Sequence, residues 1–178
     1  MKITIFWFAW SGTSTIWKLL SERLDYKFMS SWNIMREWAK DLGLNIYDFE
    51  NEVVKNDNSF DIKLDNKVLD FWINNDNFIF ESRLAWYFIP DSFKIYLKCE
   101  DIERYDRIHK RELINIDEVL EKTQKRENDL ISRYAKIYPN ISFPPHEDIF
   151  DLVIDVTKIS PLEITDFIMK KILLKYMY

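Results

Sequence analysis

Five short runs rich in β-branched and aromatic residues alternate along the chain with longer stretches of helical spacing. The runs are KITIFWF, YKFMS, NFIFES, FKIYLKC and DLVIDV. Most lack polar and apolar alternation, which is typical of strands buried on both faces of a parallel sheet. Helical spacing of apolar residues occurs in segments 15–24, 34–42, 102–111, 117–137 and 161–176. This order predicts one α/β domain with five parallel strands, and 178 residues are enough for its core.

The first run is followed by a small polar turn and a predicted helix start. The stretch WFAWSGTST, residues 7–15, has the spacing of the phosphate-binding loop G-x-x-x-x-G-K-[ST]. Trp7 stands at the first glycine position and Thr13 at the lysine position. In an α/β fold the loop after the first strand commonly binds phosphate at a helix N-terminus. These residues by themselves leave two interpretations open, a nucleotide-binding loop and an ordinary strand–turn–helix connection.

Charge and cysteine content narrow the function classes. The 25 Lys and Arg residues against 30 Asp and Glu residues make the chain mildly acidic, which argues against a general nucleic-acid coat. The single cysteine, Cys99, cannot form an internal disulfide, so we expect a reducing compartment, the cytoplasm. No apolar run has the length needed to span a bilayer. We expect a soluble monomer that binds neither membranes nor nucleic acid.

Several later stretches, in their order and spacing, resemble the archaeal-type cytidylate kinases over essentially the whole chain. They are SSWNIMREWAKDLGL, DIKLDNKVLDFW, NFIFESRLAWYFIPDSFKIYL, RIHKRE, KRENDLISRYAKIY and FDLVIDVTKISPLEI. The resemblance implies a three-layer P-loop NTPase-type fold with a five-stranded parallel sheet. It also implies a monophosphate-binding insert at about 31–75 and a lid at about 104–138. The implied reaction moves the γ-phosphoryl group of ATP, with Mg²⁺, to CMP or dCMP.

The resemblance assigns the ATP phosphates to the loop and the first helical turn after the first strand. The implied residues are Trp7, Phe8, Ala9, Trp10, Ser11, Gly12, Thr13, Ser14 and Thr15. Ser14 is the implied Mg²⁺ ligand. Thr13 is similar to a family variant of the loop, G-S-G-T-[ST]-T, which has no lysine. We therefore expect the positive charge to come from the lid arginines.

For CMP the resemblance implies Ser31, Arg36, Asp61, Asp65 and Arg83. A guanidinium group suits a phosphate dianion, although Arg36 also fits the solvated face of a helix. Arg83 closes an apolar run, where an unpaired charge is costly, so it needs a carboxylate or a bound phosphate, and we favour phosphate. In a helix Asp61 and Asp65 would share one face and accept from the exocyclic amine of cytosine. A helix cap and a solvated acid are the alternative for this pair.

Basic residues recur between positions 104 and 138. The resemblance assigns a catalytic lid role to Arg107, Arg111, Arg126 and Arg133. Phosphoryl transfer needs charge stabilisation around the transferring group, which arginines on a closing segment supply while they exclude water. A charged surface helix with Glu–Lys pairs explains part of this segment equally well. Leu130 departs from the family, which has an acidic residue at that position.

Tryptophan is frequent and glycine rare, with 7 Trp and 2 Gly. Six tryptophans stand where the family has glycine or a small or medium residue: Trp7, Trp10, Trp17, Trp32, Trp38 and Trp72. An indole in a phosphate loop would occupy phosphate space and exclude backbone conformations that glycine adopts. Our hypothesis is codon reassignment, because UGA is read as Gly in some bacterial lineages and as Trp in others. The printed chain is then a mistranslation of a working kinase.

Two other function classes remain open at this point. If the tryptophans are real, a kinase fold with a blocked phosphate loop would be a nucleotide sensor or scaffold that binds without catalysis. Alternatively, the arginine-rich segment would bind nucleic acid, but no stacking platform accompanies it. The interpretation that we favour is a cytidylate kinase.

Overall fold

The sheet is five-stranded and parallel. The computed structural model of the chain describes residues 1–8 and 13–176, with the side chains of Thr13, Ser14 and Tyr176 excepted. The strands are β1 (Lys2–Trp7), β2 (Lys27–Ser30), β3 (Phe78–Glu81), β4 (Phe93–Lys98) and β5 (Leu152–Asp155), in the spatial order β2-β3-β1-β4-β5. Every neighbouring pair is parallel. The predicted α/β fold with a five-stranded parallel sheet is confirmed.

Helices connect the strands. They are α1 (Thr13–Leu24), α2 (Ser31–Asp41), α3 (Ile46–Asp48), α4 (Ser59–Asn74), α5 (Ala85–Phe88), α6 (Asp101–Glu112), α7 (Ile116–Ile137) and α8 (Pro161–Tyr176). A π-helical turn spans Phe49–Val54, and a 3₁₀ turn spans Glu147–Ile149. In the part of the chain that the structure describes, none of these helices is long and apolar enough to cross a membrane.

Strand β1 separates two helical layers because successive side chains on a strand point to opposite faces. On one face Ile3 and Ile5 pack against α1 and α8, in a core cluster that includes Ile16, Leu20, Ile164 and Ile168. On the other face Phe6 packs with Trp86, Tyr134 and Phe150. The sheet is therefore the middle layer of three, and the strand ends are held rigidly by apolar contacts on both sides.

The register of the strands determines which side chains meet at the carboxyl edge of the sheet. Glu81, the last residue of β3, lies level with Ile5 of β1 and with Ser30 of β2. On the other side of β1, Trp7 lies level with Leu97 of β4. In open α/β sheets ligands bind outside the carboxyl ends of the strands, so this edge is where a site is expected.

Segment 31–75 is mostly helical. Helix α2 begins at Ser31, three residues before the predicted segment, because the Ser30 hydroxyl accepts from the backbone N–H of Asn33 and caps the helix. The spacing analysis did not predict helix α4, because its apolar residues are spread around the helix, with Ile62 exposed and Leu64 buried. The helical conformation of α4 places Asp61 and Asp65 on one face, as the predicted acidic pair requires.

Helices α6 and α7 form a hairpin over segment 101–137. Leu113, which ends α6, has a left-handed backbone with φ of 56°, and Asn115 caps the start of α7 by accepting from the Asp117 N–H. Inside the hairpin the buried guanidinium of Arg104 donates to both carboxylate oxygens of Glu127, at 2.8 and 3.3 Å. The two helices of the hairpin are therefore joined by a bidentate ion pair as well as by apolar contacts.

Replacement of Ile95 by alanine tests the central strands. Ile95 is 0% exposed in β4, between β1 and β5, so Ile95→Ala should lower the free energy of unfolding by about 2–5 kcal/mol. Ile73 is 72% exposed, and Ile73→Ala should change it by less than about 0.5 kcal/mol. Urea denaturation measures both. Equal effects of the two substitutions would contradict this description of the core.

Candidate functional site

Arg83 lies at the carboxyl ends of β1 and β3. Its guanidinium donates to the backbone carbonyl of Trp7 at 2.8 Å and stacks on the rings of Trp7 and Phe8, at 4.8 and 5.7 Å from the ring centroids. In the described part of the chain no carboxylate forms an ion pair with Arg83. Burial, and then the nearby charge of Arg126, lower the pKa of Arg83 to about 10. Two cations close together, one of them without a carboxylate, make a position that favours an anion.

The phosphate-loop prediction falls between the end of β1 and the start of α1. Ala9, Trp10, Ser11 and Gly12 lie outside the described residues. The backbone of Thr13 and Ser14 forms the first turn of α1, Thr15 is exposed on the same helix, and Phe8 follows β1 directly. The strand and the helix start therefore have the predicted order, and the loop between them stays a prediction.

The Glu81 carboxyl is a buried acid that the sequence analysis missed. It is 6% exposed at the end of β3, beside the strand that leads into the loop. Burial raises the pKa of Glu81 to about 7, and a hydrogen bond from Ser30 opposes this rise. The signal was present in NFIFES, because an acid that ends an apolar strand is costly to bury unless it has a partner or a function.

The first turn of α2 is the second part of the site. The Ser31 hydroxyl is buried and has no hydrogen-bond partner among the described residues. Arg36 lies one turn further along and is exposed, with its guanidinium 5.6 Å from the ring centroid of Trp32. A helix N-terminus attracts anions, and an unsatisfied buried hydroxyl can donate to one. Ser31 therefore fits the predicted phosphate contact better than Arg36 does.

Five side-chain pairs join the α3–α4 region to the α6–α7 hairpin. They are Tyr47–Glu112 at 2.8 Å, Glu50–Arg126 at 2.9 Å, Lys55–Asp129 at 2.7 Å, Asp61–Arg133 at 3.1 Å and the short hydrogen bond from Tyr138 to Asp65. We call this set the inter-segment row. Segments far apart in sequence are thereby held together by polar contacts, and the row brings Arg126, Arg133 and the acidic pair into one place.

The four predicted lid arginines do not share one environment. Arg126 and Arg133 face α4 and the π-helical turn through the inter-segment row. Arg107 instead donates to Glu103 and to the backbone carbonyls of Val156 and Thr157, after β5. Arg111 lies near the end of α6 and pairs with Glu112 at 2.8 Å. The structure therefore brings two of the four together and places the other two elsewhere on the hairpin.

The acidic pair is strongly buried. Asp61 and Asp65 are each 4% exposed. Burial raises the pKa of Asp61, although Arg133 opposes the rise. For Asp65 burial raises the pKa to about 7, against the hydrogen bond from Tyr138. The alternative of a solvated acid is therefore wrong for this pair, because neither carboxyl is exposed to solvent.

Two cavities open beside Phe8. One of about 340 Å³ lies past the ends of β4 and β5 and is lined partly by Lys98, Arg104 and Asp155. The other, of about 410 Å³, lies between α6 and α7 and is lined partly by Arg104 and Ile131. Both adjoin the residue that follows β1. The carboxyl edge of the sheet thus has space for a ligand next to the predicted phosphate loop.

Comparison with known proteins identifies the family. The family described as AAA domain matches residues 9–128. A cytidylate kinase of Methanococcoides burtonii is 32% identical over 97% of this chain and 97% of its own length. A cytidylate kinase of Methanobrevibacter smithii is 34% identical over 95% of this chain and 96% of its own length. The chain belongs to the cytidylate kinase family. It is thus a nucleoside monophosphate kinase, a phosphotransferase, and the family resemblance of its sequence is confirmed.

A comparison with solved structures supports the fold. The crystal structure of shikimate kinase from Acinetobacter baumannii in complex with shikimate superimposes with a TM-score of 0.65, at 14% identity, and the match covers 99% of this chain and 95% of that one. At this identity the likeness concerns the fold alone. The P-loop kinase fold predicted for the chain is confirmed.

The pH dependence of stability tests the buried state of Glu81. A carboxyl whose pKa is raised on folding stabilises the fold below its unfolded pKa and loses this contribution as pH rises through the folded value. Between pH 4.5 and pH 7, wild type should therefore lose about 3 kcal/mol relative to Glu81→Gln. Denaturant unfolding across this range measures the difference. Glu22→Gln, at an exposed glutamate of α1, should show no such trend, and an equal trend there would contradict the assignment.

Proposed function

We propose that the protein transfers the γ-phosphoryl group of Mg-ATP to CMP or dCMP, giving CDP or dCDP. The observation that carries this proposal is Arg83, whose guanidinium lies at the strand ends beside the predicted phosphate loop, close to Arg126, with a backbone carbonyl as its hydrogen-bond partner. A phosphate dianion would replace that weak partner with charge-assisted hydrogen bonds. The names of the relatives support cytidylate as the acceptor. We expect a cytoplasmic monomer.

In this proposal segment 31–75 is the monophosphate-binding insert and segment 104–138 is the lid. The CMP phosphate would lie between Ser31, Arg36 and Arg83. Arg126 and Arg133, now paired with Glu50 and Asp61, would exchange these carboxylates for phosphate oxygens. Phosphoryl transfer depends mainly on positioning and on stabilisation of spreading negative charge, so a cleft lined by arginines supplies what the reaction requires.

The base of the acceptor is assigned to α4. The exocyclic amine of cytosine is a hydrogen-bond donor, and carboxylates are suitable acceptors for it. Asp61 and Asp65 are buried side by side where α4 meets the lid. Uracil carries a carbonyl oxygen at the same place, which a carboxylate would repel. The acidic pair therefore favours cytosine over uracil in this site.

ATP is assigned to residues 7–15 and to the cavities beside Phe8. The cations Arg83 and Arg126 suit the phosphate chain. Magnesium ion prefers oxygen ligands, and Ser14 together with the Glu81 carboxyl at the sheet edge would provide them. Bound Mg²⁺ would neutralise charge on the transferring phosphate. Arg107 and Arg111, elsewhere on the hairpin, would approach the phosphates only when the lid moves.

Glycine at the loop positions should produce the active kinase. We expect Trp7→Gly, Trp10→Gly and Trp32→Gly together to restore ATP binding and turnover, because the indoles obstruct the loop and the insert. An ADP-coupled assay should then show CMP preferred over AMP, GMP and UMP. Trp72→Gly is the matched control, since the Trp72 indole donates to Asp91 away from these phosphates and its removal should restore nothing.

Three outcomes would contradict this account. An equal response to all four monophosphates would reject cytidylate as the acceptor. Turnover by the tryptophan form as fast as by the glycine form would reject the obstruction, and nucleotide binding without turnover in both forms would favour the binding-only alternative. The codons at positions 7, 10, 17, 32, 38 and 72 test the reassignment separately. UGA at these six would support it, and UGG throughout would reject it.

Removal of the Arg83 guanidinium should mainly impair catalysis. Arg83→Gln should lower kcat/KM for CMP by about 10²–10³, because a preorganised donor to the phosphates is lost. Arg23 is an exposed arginine of α1 that pairs with Asp166, so Arg23→Gln should leave kcat/KM unchanged. Steady-state kinetics on the active form measure both. An Arg83→Gln enzyme with unaltered kinetics would remove the observation on which the proposal depends.

A further inference from the structure

Tyr138 connects the end of the lid to the acidic pair. It is the residue that ends α7, and its hydroxyl donates a short hydrogen bond to Oδ2 of Asp65 on α4. Its ring is held edge-on against Phe88, with 5.7 Å between the ring centroids. Within the described residues Oδ1 of Asp65 accepts no hydrogen bond. One oxygen of Asp65 is thus held by the residue that ends α7, and the other has no hydrogen-bond donor among the described residues.

Asp65 differs from Asp61 in how its charge is compensated. Asp61 has a cation, because the Arg133 guanidinium donates to it at 3.1 Å. Asp65 has the Tyr138 hydroxyl. The charged or titratable groups around the pair are Glu50 of the π-helical turn, Arg83 between β3 and α5, Tyr87 of α5, Arg133 and Tyr134 of α7, and Tyr138 at the end of α7. The neighbouring carboxylates Asp61 and Glu50 oppose a second negative charge at this place.

The charge of Asp65 therefore depends on pH in the physiological range. Burial, as the largest cause, raises the pKa of Asp65 to about 7, and the neighbouring charge of Asp61 raises it further. The hydrogen bond from Tyr138 is the contribution that lowers it. Protonated Asp65 would offer a hydroxyl where an acceptor for the cytosine amine is needed.

We propose that Tyr138 is a positioning residue for base recognition: its hydroxyl binds Oδ2 of Asp65 and directs the free Oδ1 to the exocyclic amine of cytosine. This inference rests on the proposed cytidylate kinase function. Tyr138 belongs to the lid and Asp65 to the insert. The carboxylate that accepts from cytosine is therefore held in position when the two segments are in contact. Base recognition is thereby linked to lid closure.

The pH profile of KM for CMP tests this role. Wild type, in the form that turns over CMP, should bind CMP more weakly as pH falls through about 7. Tyr138→Phe removes a donor to the carboxylate, so the transition should move up by about one pH unit, and KM should rise about fivefold at pH 7 but little at pH 9. The preference for CMP over UMP should fall in parallel, while kcat at saturating CMP changes less. Titration of CMP itself is common to both enzymes and cancels in their ratio.

Tyr47→Phe is the matched control. The Tyr47 hydroxyl also donates to a carboxylate across the inter-segment row, at 2.8 Å to Glu112, but away from Asp65. If loss of one lid contact were sufficient, Tyr47→Phe would reproduce the shift, and that result would overturn the proposal. We expect it to leave the pH at the transition unchanged.

Asp65→Asn keeps the proposal testable if Tyr138→Phe folds poorly. An amide does not titrate. KM for CMP should therefore be higher than in wild type, and between pH 6 and 9 it should change much less with pH than the wild-type KM does. A wild-type pH profile in Asp65→Asn, or an unshifted transition in folded Tyr138→Phe, would overturn the role of Tyr138. Absence of CMP turnover in every form would instead contradict the proposed function itself.

Discussion

The parallel alignment of β1, β2 and β3 is the constraint on which the rest of the site depends. It places the end of β3, with Glu81 and Arg83, beside the last residues of β1 and the cap of α2. The sheet is held between two apolar layers, so these strand ends cannot move apart without loss of core packing. Burial of charged groups here costs free energy, which the packing of the core offsets. In the proposed function, a phosphate beside Arg83 would offset the cost for that cation.

The inter-segment row determines which groups the arginines of α7 bind. Among the described residues, the guanidinium groups of Arg126 and Arg133 form ion pairs with the carboxylates of Glu50 and Asp61. A carboxylate and a phosphate make similar charge-assisted hydrogen bonds to arginine, so an exchange between them conserves most of the electrostatic energy. In the proposed function, the lid could therefore contact the insert both with and without a phosphate. On such an exchange the carboxylates of Glu50 and Asp61 would lose their cations, and the phosphate oxygens would gain them.

The sequence was sufficient to predict the elements whose information is local. Short apolar runs identified all five strands, whereas the start of α2 at its Ser30 cap lies three residues before the predicted segment. The family resemblance supplied Arg83 and the acidic pair. Helix α4 and Glu81 were missed because their signals depend on neighbours: α4 has apolar residues on several faces, and Glu81 is notable only once it is seen to be buried. Similarly, the bond between Tyr138 and Asp65 joins residues 73 positions apart, which no local pattern indicates.

The tryptophans differ in how they affect the proposed site. Trp17 is buried in the core and stacks on Phe28, so it acts as a packing residue. The guanidinium carbons of Arg83 and Arg126 lie over the rings of Trp7 and Trp32, at 4.8 and 4.6 Å from the ring centroids. A cation over an aromatic ring keeps its N–H donors, which bind the Trp7 carbonyl and the Glu50 carboxylate here. The arginine charge is thus present beside the tryptophans, and in the proposed function the obstacle to phosphate would be the volume of the indole rings. Glycine at these positions would remove the ring volume without changing the charge of the site. The glycine and tryptophan forms should therefore differ in how well they bind phosphate.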